Sequence, residues 1–317
     1  MSIERFEANA GDYLQELHNT LKNQAYRPNA VKRVVLSKSD GKQRPLGIPT
    51  VKDRIVQAAI KIVIEPIFEH EFLPMSYGFR PLLGCKDALR EVNQLLTSSY
   101  TYVVDADMKS YFDSIPHELL MQQVGKRLSD GKLLDLIGLF LQQEVMDGLE
   151  RWIPSSATPQ GAVLSPLLAN IYLHPLDKLI TEQGLKRVRY AEDFVILCQS
   201  QNEAEKALER VREWVDHNGL CLHPDKTHLG NCLEYGQGFE FLGYRFEAGK
   251  RWIRSKSHQA LRDKIRDKTK RNRSGSLREI IEDLNPMLKG WFNYFKHAYR
   301  TEFKSIDGFI RRRLRAL

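Results

Sequence analysis

Two apolar β runs that carry carboxylates at their ends constrain this chain more than any other feature. In YTYVVDADM, residues 100–108, aromatic and β-branched residues read as a strand, and Asp105 and Asp107, two apart, share one face of it. In RVRYAEDFVILC, residues 187–198, two further runs flank a tight turn with Glu192 and Asp193 at its tip. A carboxylate in apolar surroundings needs a partner to offset its desolvation. Two such strands side by side can hold two Mg²⁺ ions through hard oxygen ligands, an arrangement that activates a primer 3′-hydroxyl and stabilises leaving pyrophosphate during nucleotidyl transfer. Asp and Glu also occupy hairpin turns for conformational reasons, so spacing alone leaves both readings open.

The surroundings of these runs alternate between strand and helix periods. Residues 2–24 read as a helix with Phe6, Tyr13, Leu14, Leu17 and Leu21 on one side. VKRVVLSKSDGKQRPLGIP, from Val31, reads as a hairpin about Ser39-Asp40-Gly41-Lys42 that carries Lys38 and Arg44. Residues 53–72 read as a helix with Ile55, Ala59, Ile62 and Val63 on its inner stripe, and residues 116–128, 166–179 and 202–218 as further helices. In the last of these Ala204, Ala207, Leu208, Val211 and Val215 face inward, and Gly219 is a stop signal. The pattern predicts an α+β layer, a sheet with helices against one face. Beyond Trp252 the strands cease, and apolar stripes through SLREIIEDL and MLKGWFNYFKHA predict a small helical domain, which divides the chain into 1–250 and 251–317.

Composition narrows the class. A chain of 317 residues, 42% hydrophobic and 28% charged, has the make-up of a soluble protein of two or three subdomains. No apolar run approaches the roughly 18 residues of a membrane span, and MSIERFEANAGDYL has neither a basic leader nor an apolar signal core, so a cytoplasmic protein is expected. Cys85, Cys198, Cys221 and Cys232 lack metal-ligand spacing and read as buried, reduced thiols. From Arg245 onward there are 21 Lys and Arg against 8 Asp and Glu, while the rest of the chain is slightly acidic. A basic end of that kind suits a polyanion, through counterion release, or else forms a solvated helical face.

An ordered series of blocks goes further. Arg44-Pro-Leu-Gly-Ile-Pro-Thr, Asp53-Arg-Ile-Val-Gln, Ser76-Tyr-Gly-Phe-Arg-Pro, Asp105-Ala-Asp-Met-Lys-Ser-Tyr-Phe-Asp, Thr158-Pro-Gln-Gly-Ala-Val-Leu-Ser-Pro, Tyr190-Ala-Glu-Asp, His223-Pro-Asp-Lys-Thr and Phe241-Leu-Gly-Tyr stand in sequence. They resemble the characteristic blocks of group II intron reverse transcriptases, and LNPMLKGWFNYFKHAYRTEFKSIDGFIRRRLR resembles that family's maturase or thumb region. The resemblance implies a right-hand polymerase: fingers and an antiparallel palm over 1–250, a helical thumb over 251–317. It also implies an RNA template and primer, dNTPs, structured intron RNA, and two Mg²⁺ ions, with Mn²⁺ as a substitute.

By motif, Asp107 with the Met108 carbonyl, Glu192 and Asp193 become catalytic metal ligands, and Asp105 a strand-end side chain. Lys38 and Arg44 clamp the triphosphate, Lys as a point charge and Arg by bidentate contacts. Phe112 presses on the deoxyribose and excludes a 2′-hydroxyl, a role compatible with a place in the core. Gln160 contacts the incoming nucleotide or caps its loop, Lys226 lies near the pyrophosphate, and Arg80 holds either template or fingers. Three positions depart from the family pattern: Glu192 where the first of two aspartates is usual, Ala157 where Gly is usual, and Leu83 where a basic residue is usual. The chain also begins within what resembles the middle of the family's N-terminal block, and no Cys-rich endonuclease segment follows the thumb, which points to a shortened protein. Glu192 keeps a second expectation in view, a catalytically weak protein that binds RNA and assists splicing.

Overall fold

The computed structural model describes residues 2–37, 43–154, 156, 161–272 and 275–317; the side chains of Ser37 and Arg44 lie outside that description. The chain opens on α1 (Ile3–Glu7) and α2 (Ala10–Lys22), followed by β1 (Val31–Ser37), β2 (Gln43–Ile48), α3 (Val51–Glu69) and α4 (Cys85–Thr97). Next come β3 (Tyr102–Ala106), α5 (Tyr111–Ser114), α6 (His117–Gly125), α7 (Gly131–Leu141), β4 (Val145–Asp147) and β5 (Glu150–Trp152). The middle is completed by α8 (Ser165–Glu182), β6 (Lys186–Tyr190), β7 (Asp193–Cys198), α9 (Gln201–His217) and β8 (His228–Asn231). A small sheet of β9 (Phe239–Phe241), β10 (Tyr244–Glu247) and β11 (Lys250–Ile253) precedes α10 (Ser255–Lys268), α11 (Leu277–Phe295) and α12 (Thr301–Arg315).

The central sheet runs β6-β7-β3-β8, antiparallel throughout. Both of its faces are covered, which corrects the expectation of helices on one. Val104, Phe194, Ile196 and Cys198 share a core with Leu173 of α8 and with Ala207 and Val211 of α9. On the reverse, Val103, Val188, Val195 and Leu197 pack with Leu89 and Val92 of α4 and with Phe239, Tyr244 and Phe246 of the small sheet. FVILC has no polar alternation because a strand buried on both faces needs none.

Four further differences have local causes. The first helix is two, broken at Ala8–Asn9. In α3 the buried stripe is Asp53, Val56, Gln57, Ile60, Ile64 and Phe68, while Ile62 and Val63 are 73% and 59% exposed. Hydropathy missed this register because two of the buried positions are polar, each with partners of its own. The two apolar stripes of the thumb lie on one helix, α11, which runs through Pro286, its start fixed by a Ser276–Glu279 capping box. Cys198 and Cys232 are buried, whereas Cys221 is exposed and Cys85 half-buried. Among the described residues no helix is long and apolar enough to cross a membrane.

Candidate active site

The blocks spread along the sequence converge through polar contacts. Asp53, fully buried, accepts hydrogen bonds from the Tyr26 hydroxyl at 2.5 Å, the Thr50 hydroxyl at 2.6 Å and the Asn29 amide at 3.2 Å. Burial and that carboxylate push the Tyr26 phenol far above its ordinary range. One turn on, Gln57 Oε1 accepts from the Val163 and Leu164 amides at 2.8 and 3.4 Å, which ties the loop before α8 to α3. Gly161 in that loop has φ +108°, and a Cβ there would stand 2.7 Å from the Gly47 carbonyl oxygen, so β2 and the loop touch only because the residue is glycine.

The carboxylates meet at one end of the central sheet. Asp105 lies one residue from the end of β3, opposite Val195 and His228, and Asp107 stands just beyond the strand. The stretch 107–109 is pinned to the His223 block by His223 N–H donating to the Asp107 carbonyl at 2.7 Å and Lys109 N–H donating to the Cys221 carbonyl at 2.9 Å. Asp107, Asp105, Glu192 and Asp193 line one open groove of about 710 Å³, together with Lys226, His228, Glu240, Arg245 and Arg254. Lys226 Nζ contacts Asp107 Oδ2 at 2.5 Å, and Arg254 pairs with Glu240 at 2.5 Å. Burial, then repulsion from Asp107 and Glu192, pushes the Asp193 carboxyl up to about 7, against opposition from Arg254 and Lys226. Asp105 is likewise pushed up to about 7, by burial first and then by Asp193. It is therefore part of the acidic cluster, beyond the strand-end place expected for it.

Beneath the β6–β7 turn lies a buried polar support. Asp177 of α8, fully buried, meets Arg189 at 2.5 Å and Arg187 at 2.8 Å, and these two arginines hold its carboxyl below its ordinary value in spite of burial. Arg189 also donates to Asn170 Oδ1 at 2.7 Å and to the Ala191 carbonyl at 2.9 Å. Asn170 in turn donates to the Gly78 carbonyl at 2.8 Å. A Cβ on Gly78 would stand 2.1 Å from the Ala191 nitrogen, and Ala191 itself has φ +58°. The turn that presents Glu192 and Asp193 is thus clamped between a glycine and an arginine. The available signal was a charge inside an apolar element: Asp177 in NIYLHPLDKLI, Arg187 and Arg189 in a buried strand.

Of the residues expected from sequence, Asp107, Glu192, Asp193 and Lys226 come together. Met108 is buried and bridges to Leu222. Phe112 is buried on α5, edge to face with the half-exposed Phe79 at 6.4 Å and with Tyr111 at 5.5 Å. Arg80 donates to both Glu69 oxygens and to the carbonyls of Leu73 and Ser76, contacts that tie it to the end of α3 and the loop after it. Lys38 and Gln160 lie outside the described residues; Arg44 has its backbone opposite Leu36 on β2.

The reverse transcriptase (RNA-dependent DNA polymerase) family matches residues 36–246, and the group II intron maturase-specific domain matches residues 258–317. Protein YkfC of Escherichia coli strain K12 is 35% identical over 272 residues, 73% of this chain and 70% of that protein. The group II intron-encoded protein LtrA of Lactococcus lactis subsp. cremoris is 37% identical over 203 residues, 63% of this chain but 34% of that protein, so the chain spans a minor part of LtrA's length. Apo telomerase from Candida tropicalis shares the fold, with a TM-score of 0.58 at 13% identity over 94% of this chain and 64% of that one. The palm-like sheet with its clustered acids, the matches to both domains and the likeness to YkfC together mean that this chain belongs to the group II intron reverse transcriptase and maturase family.

Proposed function

We propose that the chain is an RNA-directed DNA polymerase that extends a primer on an RNA template with dNTPs, and that it binds structured intron RNA. The observation that carries this reading is that Asp105 and Asp107, at the end of β3, and Glu192 and Asp193, at the β6–β7 turn, line one groove though they are far apart in sequence. Such crowded hard-oxygen donors, two of them pushed up to about 7, favour added positive charge and fit Mg²⁺ or Mn²⁺. Asp107, Glu192 and Asp193, with the Met108 carbonyl, would hold it. Among the described residues no three acidic, His or Cys side chains already stand close enough to share one ion. When bound, the cations supply Lewis acidity toward the primer 3′-hydroxyl and the leaving pyrophosphate.

The protein's own groups do the positioning. Lys226 keeps an exposed positive charge beside Asp107, where it can turn toward a triphosphate. Lys38 and Arg44 grip that triphosphate from the fingers, Gln160 contacts the nucleotide, and Phe112 limits the space at the sugar 2′ position through its ring packed on Phe79. We assign fingers and palm to 1–250 and the RNA-gripping thumb to 251–317, in a cytoplasmic setting where RNA and dNTPs meet. Glu192 favours a second reading, in which RNA binding and splicing assistance persist while polymerisation is weak. Incubation with a DNA primer on an RNA template, dNTPs and Mg²⁺ tests the proposal: extension that EDTA abolishes is expected, and binding without any extension in Mg²⁺ or Mn²⁺ would leave the second reading.

A further inference from the structure

We infer that Tyr294 is a positioning residue: through it the last turn of α11 fixes the turn between β9 and β10, and with it the side of the carboxylate groove that Glu240 and Arg245 form. The inference rests on the polymerase reading for its consequence, the rate of nucleotide addition, and not for the contact itself.

The β9–β10 turn is strained. Phe241 pairs with Tyr244, so Leu242 and Gly243 alone make the connection. Both are left-handed, at φ +47° and +84°. A two-residue hairpin of that kind favours Asn-Gly, because a leucine side chain crowds its own backbone there. A leucine kept in that conformation has to be over-determined by its surroundings. The flanks of the turn reach the acids: Glu240 and Arg245 are cross-strand partners, and both line the groove.

Tyr294 meets the hairpin twice. Its hydroxyl donates to the Leu242 carbonyl at 2.8 Å, and its own carbonyl accepts from the Tyr244 hydroxyl at 2.6 Å. One residue of α11 thus grips the turn at Leu242 and the strand that follows it. From the start of α10, the Arg254 amide and the Ser257 hydroxyl donate to the Gly243 carbonyl at 3.0 and 3.4 Å. The turn is therefore held between two helices that lie close in space but not in sequence.

The clasp extends toward the catalytic turn. At the first residue of α4 the Cys85 thiol is in hydrogen-bonding contact with the Tyr294 phenol and with that of Tyr190, the last residue of β6 before Ala191 and Glu192. The Tyr294 proton is committed to the Leu242 carbonyl, so the phenol oxygen accepts from the thiol and the sulfur accepts from Tyr190. One bridge joins the turn that presents Glu192 and Asp193 to the turn between Glu240 and Arg245. Packing alone would be served as well by a phenylalanine; the hydroxyl, with a carbonyl and a thiol as its partners, is what assigns the role.

The test compares the full chain with Tyr294→Phe, which keeps the ring and removes the hydroxyl, and with Ile306→Val, which loosens the core shared by α10, α11 and α12 away from the turn. Single-nucleotide addition to a DNA primer on an RNA template is measured across dNTP concentrations, and hydrogen exchange is followed in peptides covering 239–247. Tyr294→Phe is expected to lower the maximal rate about five- to tenfold, with the KM for dNTP and the duplex affinity within about twofold of the parent, and to speed exchange at the turn. Ile306→Val should match the parent in both readouts. An unchanged rate or unchanged exchange in Tyr294→Phe, or the same fall in Ile306→Val, would overturn the inference. A parent that extends no primer would instead overturn the polymerase reading, and exchange at the turn would still decide the clasp.

Discussion

In the proposed reading, Glu192 sets how fast the groove works. Its extra methylene sets the carboxylate roughly 1.5 Å further from the backbone than Asp would, by ordinary bond lengths. A misplacement of about 1 Å can cost on the order of 10²-fold in rate, and Mg²⁺ demands near-octahedral geometry where Mn²⁺ is more tolerant. Glu192→Asp should therefore raise single-turnover extension substantially in Mg²⁺ and less in Mn²⁺. Phe112 is both buried and beside the sugar position in our reading, so its truncation has two effects. Phe112→Val should lower stability by about 1–3 kcal/mol and raise the ratio of ribonucleotide to deoxyribonucleotide incorporation. Equal falls in both rates would leave only core packing. Asp105 and Asp193 add a pH dependence: with folded values near 7 against about 4 unfolded, the folded state holds their protons more tightly. Stability they lend at low pH is lost as pH rises from about 4 to about 7 and stays level above. Metal-free melting curves should follow that course, Asp105→Asn should flatten it, and Mg²⁺ should raise the melting temperature more at pH 8 than at pH 5.

Among the elements, the β6–β7 hairpin presents Glu192 and Asp193, the acids of the proposed chemistry, and the elements beneath it carry the hairpin. Gly78→Ala brings a methyl group into the Ala191 backbone, so extension should fall by about 10²-fold or more while RNA binding, measured separately, is retained. Asp177→Ala leaves two buried guanidinium groups without their carboxylate and should cost about 3–5 kcal/mol in denaturant unfolding. Strands and long helices were legible wherever hydropathy alone decides burial, as in Tyr102–Ala106 or in α9. Legibility failed where polar groups are buried with partners, because Asp53 and Gln57 sit on the inner stripe that periodicity assigned to Ile62 and Val63. Local pattern likewise could not reveal that Asp105 joins the acids, since its neighbour Asp193 comes from a strand about ninety residues away. The ordered blocks made the acids themselves legible; the arginine clamp under them was written in the sequence only as charge out of place.

For the whole molecule, the proposed reading assigns affinity to the basic end and turnover to the acidic groove. α10–α12 are not a detachable appendage, because Phe295 and Ala298 complete the core on the reverse of the central sheet. Neutralising exposed positions is therefore a cleaner probe than truncation. Lys264→Gln/Lys289→Gln/Lys304→Gln should flatten the dependence of duplex affinity on salt, by up to about 2 in the log–log slope, and leave the melting temperature nearly unchanged. An unchanged slope would move the duplex surface elsewhere. The most direct measurement compares the parent, Glu192→Asp and Asp107→Asn in single-turnover extension of a DNA primer on an RNA template, with duplex binding measured in parallel. The account predicts slow extension by the parent, faster extension by Glu192→Asp, and a loss of at least about 10³-fold in Asp107→Asn with binding intact. Extension by Asp107→Asn at the parent's rate, or none by the parent and Glu192→Asp in either metal, would contradict it.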